Sequence, residues 1–288
     1  MGGRELTGES TNRTGAYPLG HSETEIDRLA AQARLVDPIT ERFLRQAGIR
    51  PGMRVLDVGT GAGDVAFLAA TLVGEGGQVV GVDNAVGAID AAKRRISGRA
   101  IANVSFVHGE PDELVFDRPF DAVVGRYVLQ FQADPAAFLG RLTRHLGPGG
   151  LVVFHELDWS GVVSHPALPT FDRCCALIVE TMRRGGTETS MGGKLYATFL
   201  AAGLEPPRLH LEAIVAGGPH TSERLQLTAG LVRSLLPEIE RFGLASAADL
   251  AVGSLADRML AEAIERSAVI VAPHQVGAWS RLQSRGAD

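Results

Sequence analysis

Residues 55–63 read VLDVGTGAG, and no other stretch of the chain narrows the choice of fold as much. An apolar run carrying a single acid, Asp57, breaks into Gly59, Gly61 and Gly63, spaced by one residue, directly before the helix-like stretch 64–72. Near-continuous apolar runs mark strands buried on both faces, and glycine permits positive φ and close approach of backbone to a ligand. The pattern predicts a parallel strand that feeds a tight turn beneath a nucleotide-type ligand.

Spacing then separates one ligand class from another. A dinucleotide fingerprint needs Gly-x-Gly-x-x-Gly; here Asp64 stands where its third glycine belongs, and Gly63 falls one residue early. The chain instead matches Asp-x-Gly-x-Gly-x-Gly, with Asp57 ahead of the three glycines. A second short apolar run, 78–82, ends at Asp83 and leads into a helix-like stretch 85–96. Doubly wound sheets place an acid there to accept hydrogen bonds from ribose hydroxyls, although an aspartate serves equally well as the N-cap of the next helix. A third strand is predicted at 104–108, before Gly109-Glu110-Pro111-Asp112, and a fourth at 120–124, opening FDAVVGRYVLQF. Residues 146–150, LGPGG, read as a turn before a fifth strand at 151–154.

In this form and order the motifs resemble those of the class I S-adenosylmethionine-dependent methyltransferases. The resemblance covers residues 54–154 well and the remainder only in layout. It implies a doubly wound α/β fold with a seven-stranded, mostly parallel sheet whose last strand is antiparallel, N-terminal helices, and a helical cap insertion. It also implies S-adenosyl-L-methionine as cofactor, held by Asp57, Gly59, Thr60 and Gly61 in the loop and by Asp83 and Asn84 after the second strand. Glu110 and Pro111 take the place beside the adenine, where an aspartate is more usual than Glu110, and Arg126 with Tyr127 wall the methionine moiety. In such relatives the N-terminal segment folds over the cofactor. That would make Tyr17, in AYPLGHSETE with His21, a lid and bring Gln32 or Arg34 near the methionine carboxylate. A plain surface tyrosine is the competing reading.

The rest of the chain is organised around this unit. Residues 1–20 are rich in polar and small types and are expected to be flexible, and 21–50 to form a helical lid. Ser22 with Glu25 makes a capping box, and Ile26, Leu29, Ala33 and Val36 share one helical face. Asp37-Pro38 is read as an interruption, with a second helix over 39–47. Residues 51–288 form the methyltransferase-like domain, with cap insertions at about 160–190 and 220–267. Helices are predicted over 168–182, 192–202, 222–242 and 247–267, and strands over 208–215 and 275–282. The long segment with Leu225, Leu227, Leu231, Val232, Leu235 and Leu236 either packs on the sheet or caps a substrate pocket.

Bulk properties limit the partners. The apolar share is 45%, the charged share 21% and the net charge −5 over 288 residues, with no basic run longer than Lys93-Arg94-Arg95. Polyanion binding needs a concentrated basic face, so no nucleic-acid partner is expected. The Pro-Pro-aromatic signature of enzymes that methylate nucleobase amines is also missing after the fourth strand. Cys174 and Cys175 are adjacent, which disfavours a relaxed disulfide and suits reduced, buried thiols in a cytoplasmic protein. No stretch reads as a signal peptide or a membrane span, and the eight histidines show no metal-ligand spacing. A small-molecule acceptor is the expected partner, and a homo-oligomer is compatible with the sequence.

A sulfonium methyl is already a potent electrophile, so alignment of the nucleophile supplies most of the acceleration, and a base is needed only where the acceptor must lose a proton. His155, Glu156, Asp158 and His165 are read as clustering just after the fifth strand, at the carboxyl edge where open sheets bind ligands. His155 or Glu156 is the candidate general base, against the alternative that each only hydrogen-bonds a loop. The expected activity is methyl transfer to a small organic acceptor at carbon, oxygen or nitrogen, similar to quinone-biosynthesis C-methyltransferases and to natural-product tailoring enzymes of secondary metabolism. One alternative is a cofactor-binding, non-methylating enzyme such as a cyclase on the same fold. A nicotinamide-dependent oxidoreductase is the other, and the displaced third glycine and the LxPGG pattern argue against it.

Overall fold

The computed structural model describes residues 23–97 and 101–282. Its centre is a seven-stranded sheet. Strands β1 (Arg54–Val58), β2 (Gln78–Asp83), β3 (Val104–His108), β4 (Phe120–Arg126) and β5 (Leu146–Asp158) run parallel. They are joined by β7 (Arg208–Glu212) and β10 (His274–Arg281) in the order β3-β2-β1-β4-β5-β10-β7. β10 is antiparallel to both of its neighbours, β5 and β7. The order reverses between β1 and β4, which opens a crevice at the carboxyl ends of those strands.

Helices α1 (Glu23–Ala47), α2 (Asp64–Val73) and α3 (Val86–Ser97) cover one face. Leu44, Val65, Phe67 and Ile89 pack there against Val55, Val79, Val124 and Val153. On the other face α4 (Pro135–Leu142) and α6 (Met191–Ala201) bury Phe138, Leu139, Leu195 and Phe199 against Leu56, Val80, Val123 and Phe154. β1 and β2 are thus buried on both sides, which is why their sequences are apolar throughout rather than alternating.

A second unit has its own core. Strands β6 (Val163–His165), β8 (Val215–Gly217) and β9 (Val269–Val271) form an antiparallel sheet in the order β6-β9-β8. Against it pack α5 (Pro169–Arg184), α7 (Ser222–Arg241), the short α8 (Ala247–Leu250) and α9 (Leu255–Glu265). Phe171, Ile178, Leu225, Val232, Leu235 and Met259 are buried together here, so the leucine-rich face of 225–236 closes this unit and not the main sheet. Cys174 and Cys175 are buried free thiols on α5, and burial pushes them up to about 11 and about 12.

Four sequence expectations are corrected. α1 runs unbroken through Pro38, because its buried stripe of Ala33, Val36, Ile39, Phe43 and Ala47 gains more from the sheet than one lost helical hydrogen bond costs. LGPGG does not end before β5 but lies within it: the pairing with β4 jumps from Phe120↔Leu146 to Ala122↔Leu151, and Gly149 takes φ 70°. β5 also continues past Phe154, so His155, Glu156 and Asp158 are strand residues paired with β10 and not loop residues, while His165 sits exposed on β6. Residues 208–215 are two strands in two different sheets, since the chain leaves β7 at Glu212 and enters β8 at Val215. Tyr17, His21 and Ser22 lie outside the described residues. Among the described residues, no helix is long and apolar enough to cross a membrane.

Candidate functional site

The crevice is built on the glycine turn. Gly59, Gly61 and Gly63 take φ 62°, 54° and 90°, values that side chains resist. The turn is closed by Thr60 N donating to the Val82 carbonyl at 3.0 Å and by Gly63 N donating to the Thr60 carbonyl at 2.8 Å. Gly59 is exposed, yet a Cβ there would stand 2.7 Å from Val128 Cγ2, so the loop lies flush against the turn after β4. Beneath it, Asp57 is 1% exposed. Its Oδ2 accepts from Thr60 Oγ1 at 2.5 Å, and its Oδ1 has no partner. Burial pushes the Asp57 carboxyl up to about 7, against the opposing pull of Thr60 and the Arg126 guanidinium.

Asp83 ties the turn to the next strand. Gly61 N donates to its Oδ2 at 2.8 Å and Ala85 N to its Oδ1 at 2.9 Å. Asp83 therefore braces the turn that leads into α3, and each oxygen keeps a lone pair for a further donor. Asn84 Nδ2 donates to Glu110 Oε1 at 3.0 Å, so the tips of β2 and β3 meet at the crevice rim. Pro111 is buried and its carbonyl lies 2.8 Å from His145 Nε2. Burial holds His145 below the usual histidine range, despite that bond.

At the tip of β4, Arg126 is a hub. Its Nη1 donates to Asp37 Oδ1 at 2.8 Å and to Thr40 Oγ1 at 3.0 Å, both on α1, and its Nη2 lies 3.8 Å from Asp64 Oδ2 at the start of α2. Tyr127 has φ 59°, a strained value for an aromatic residue, and its hydroxyl donates to Gln275 Oε1 at 2.5 Å. His155 completes this network. Its Nε2 sits 2.8 Å from Gln275 Oε1, its Nδ1 3.1 Å from Thr40 Oγ1, and the Phe43 ring meets it edge-on at 4.9 Å. The hydrogen bonds assign the proton to Nε2, leaving Nδ1 to accept from Thr40. Burial first, and then Arg126, lowers the imidazole to about 3, so it is neutral at physiological pH.

Glu156 faces the opposite side of the sheet and is fully buried. Its Oε1 accepts from Val128 N at 2.9 Å and Leu129 N at 2.8 Å, capping the 3₁₀ turn Leu129–Phe131, and its Oε2 has no partner. Burial pushes it up to about 8 against the pull of those amides. The His155 imidazole has both nitrogens engaged, and Glu156 holds the turn through Oε1 while its Oε2 is free. Asp158 likewise accepts from Ser160 N at 2.9 Å, closing the turn after β5.

The structure thus brings Asp57, Gly59, Thr60, Gly61, Asp83, Asn84, Glu110, Arg126 and Tyr127 to one crevice. Asp37, Thr40, Val128 and Gln275 join them without a sequence signal, because each is reached only through tertiary packing. The crevice can accept hydrogen bonds from hydroxyls and amines, and its floor is a carboxyl with one free oxygen.

Residues 49–198 match the family described as "Methyltransferase domain". Demethylmenaquinone methyltransferase of Staphylococcus aureus (strain MRSA252) is 35% identical over 138 residues, 48% of this chain and 54% of that protein. The chain spans about half the length of the curated relatives it matches. Among solved structures, the YcgJ protein from Bacillus subtilis has a TM-score of 0.55 at 16% identity, covering 85% of this chain and 97% of that one. Phosphoethanolamine N-methyltransferase 2 of Haemonchus contortus, in complex with S-adenosyl-L-methionine, has a TM-score of 0.53 at 20% identity, covering 86% of this chain and 53% of that one. These two structures establish a shared fold.

Proposed function

Because the chain belongs to the methyltransferase-domain family, we propose that it transfers a methyl group from S-adenosylmethionine to a small organic acceptor in secondary metabolism. The observation that carries this reading is the glycine turn bonded through Gly61 to Asp83 at the point where the strand order reverses. The residues fit the cofactor. Gly59 has no room for a side chain against Val128, Asp83 retains acceptor capacity for ribose hydroxyls, and Asp57 Oδ1 is a buried oxygen awaiting a donor. Bound S-adenosylmethionine supplies a sulfonium methyl group, an electrophile that needs an aligned nucleophile.

In this reading Asp83 holds the ribose, Asn84, Glu110 and Pro111 border the adenine, and Arg126 with Tyr127 wall the methionine moiety. His155 and Glu156 act as positioning residues, one seating α1 and the other the turn after β4. Acceleration then comes from orientation and exclusion of water, with neither His155 nor Glu156 acting as base. With only about half of each chain matched to the curated relatives, the acceptor is assigned by class: a small organic molecule methylated at carbon, oxygen or nitrogen. Calorimetry tests the cofactor. S-adenosylhomocysteine should bind and NAD should not, and the reverse result refutes the reading. Mass spectrometry of reactions with candidate acceptors should show a methylated product together with the demethylated cofactor; cofactor binding without turnover on any acceptor would leave the cyclase-type alternative.

A further inference from the structure

The main sheet ends at β7, whose outer edge has no strand beside it among the described residues. An uncovered edge presents unpaired backbone N–H and C=O groups, and proteins commonly protect such edges with lysine, proline or bulges. β7 reads RLHLE, with no lysine, proline or bulge; it is short, and its charged residues Arg208 and Glu212 are of opposite sign, so they can pair with another strand as well as repel one. It also exposes two leucines, Leu209 at 49% and Leu211 at 53%. They pair across the ladder with Ala278 and Val276, which belong to the core under α6, so both leucines lie on the α6 side of the sheet. The same helix exposes Tyr196 at 45% and Leu200 at 43%.

The strand is also complementary to itself. Around His210, a leucine stands one residue away on each side, and two residues away Arg208 is matched by Glu212 of opposite charge. An antiparallel copy centred on His210 sets Arg208 opposite Glu212 twice and Leu209 opposite Leu211 twice. From this charge and shape complementarity we infer that β7 pairs with β7 of a second copy of this chain about a two-fold axis, making one continuous sheet across the dimer. An isologous contact of this kind needs one patch that complements itself, which β7 provides. Five paired residues bury too little for a stable interface, which takes about 1,200–2,000 Å². Leu209 and Leu211 of both copies supply the apolar part of the contact on the α6 side. On the α1 side Glu212 already accepts from Arg42, and the partner's arginine joins that pair.

Sedimentation velocity of the full chain over a concentration series tests the pairing. The unaltered protein should reach the mass of two chains. Arg208→Glu alone and Glu212→Arg alone each set like charges opposite each other twice, and each should weaken association by about tenfold or more. An equimolar mixture of the two variants should recover the dimer, because every cross-pair then joins opposite charges. Leu211→Arg should be monomeric with an unchanged circular dichroism spectrum. A wild-type monomer at all concentrations overturns the inference. A dimer indifferent to these substitutions, which would be assembled through another face, overturns it as well, and so does a mixture that stays monomeric while each single variant is well folded.

Discussion

Glu156→Gln separates a buried, protonated carboxyl from an ordinary cap. In the folded protein Glu156 keeps its proton up to about pH 8, whereas the unfolded chain loses it near 4.5. Below 4.5 the group is protonated in both states and does not affect the balance. Between 4.5 and about 8 folding takes up a proton, so stability falls as pH rises through this window. The full difference corresponds to something on the order of 5 kcal/mol at 1.36 kcal/mol per pH unit. Glutamine cannot titrate, but its carbonyl can still accept from Val128 and Leu129 N–H. Asp57, also raised, and His155, lowered, contribute their own slopes, yet both remain in the variant and cancel in the comparison. Urea unfolding of both proteins from pH 5 to pH 8 should therefore show Glu156→Gln gaining steadily on the parent, by up to that amount. Glu156→Ala should start below the parent at pH 5, because two buried amides go unpaired at about 1–3 kcal/mol each, and should show the same relative gain as pH rises, since alanine cannot titrate either. A constant difference between parent and Glu156→Gln across the window would refute the argument.

Gly59→Ala should weaken S-adenosylhomocysteine binding by at least about tenfold in calorimetry, because a residue with φ 62° and a Cβ 2.7 Å from Val128 cannot keep this turn. Asp83→Ala should cost about 1–3 kcal/mol of cofactor affinity; unchanged affinity would reduce Asp83 to a brace of the turn before α3. His155→Gln should blunt acid sensitivity. The buried neutral imidazole contributes stability that is present above pH 6.5 and lost as pH falls towards about 3, so thermal midpoints of parent and variant should converge on acidification through that range. Parallel acid curves would contradict it.

The strand-and-turn half of the crevice was legible in the chain because its determinants are local. A strand, its glycine turn and an acid at the next strand's tip are each contained within a few residues, so Asp57, Gly59, Gly61 and Asp83 stand where their order predicts. The positioning network was not. Thr40 and Gln275 meet across His155 from the first helix and the last strand, a separation that no local pattern encodes. The placing of His155 and Glu156 in a loop has a specific cause: only the distant β10 shows that β5 runs on past Phe154, just as only β4 shows that the glycines of LGPGG form a bulge within it. Pro38 misled in the same way, since the burial that carries α1 across it is tertiary. The three-residue strands β6, β8 and β9 are too short to show a period, and they are strands only because each lies beside another.

Of the described strands β10 is made last, yet it sits between two strands made long before it. On the ribosome, β5 must wait with one flank unzipped and β7 with no neighbour at all while the whole of α7, α8 and α9 is translated. The newborn chain therefore passes through a long interval in which two strand edges of its main sheet stand open, and that interval is where chaperones and proteases would meet it.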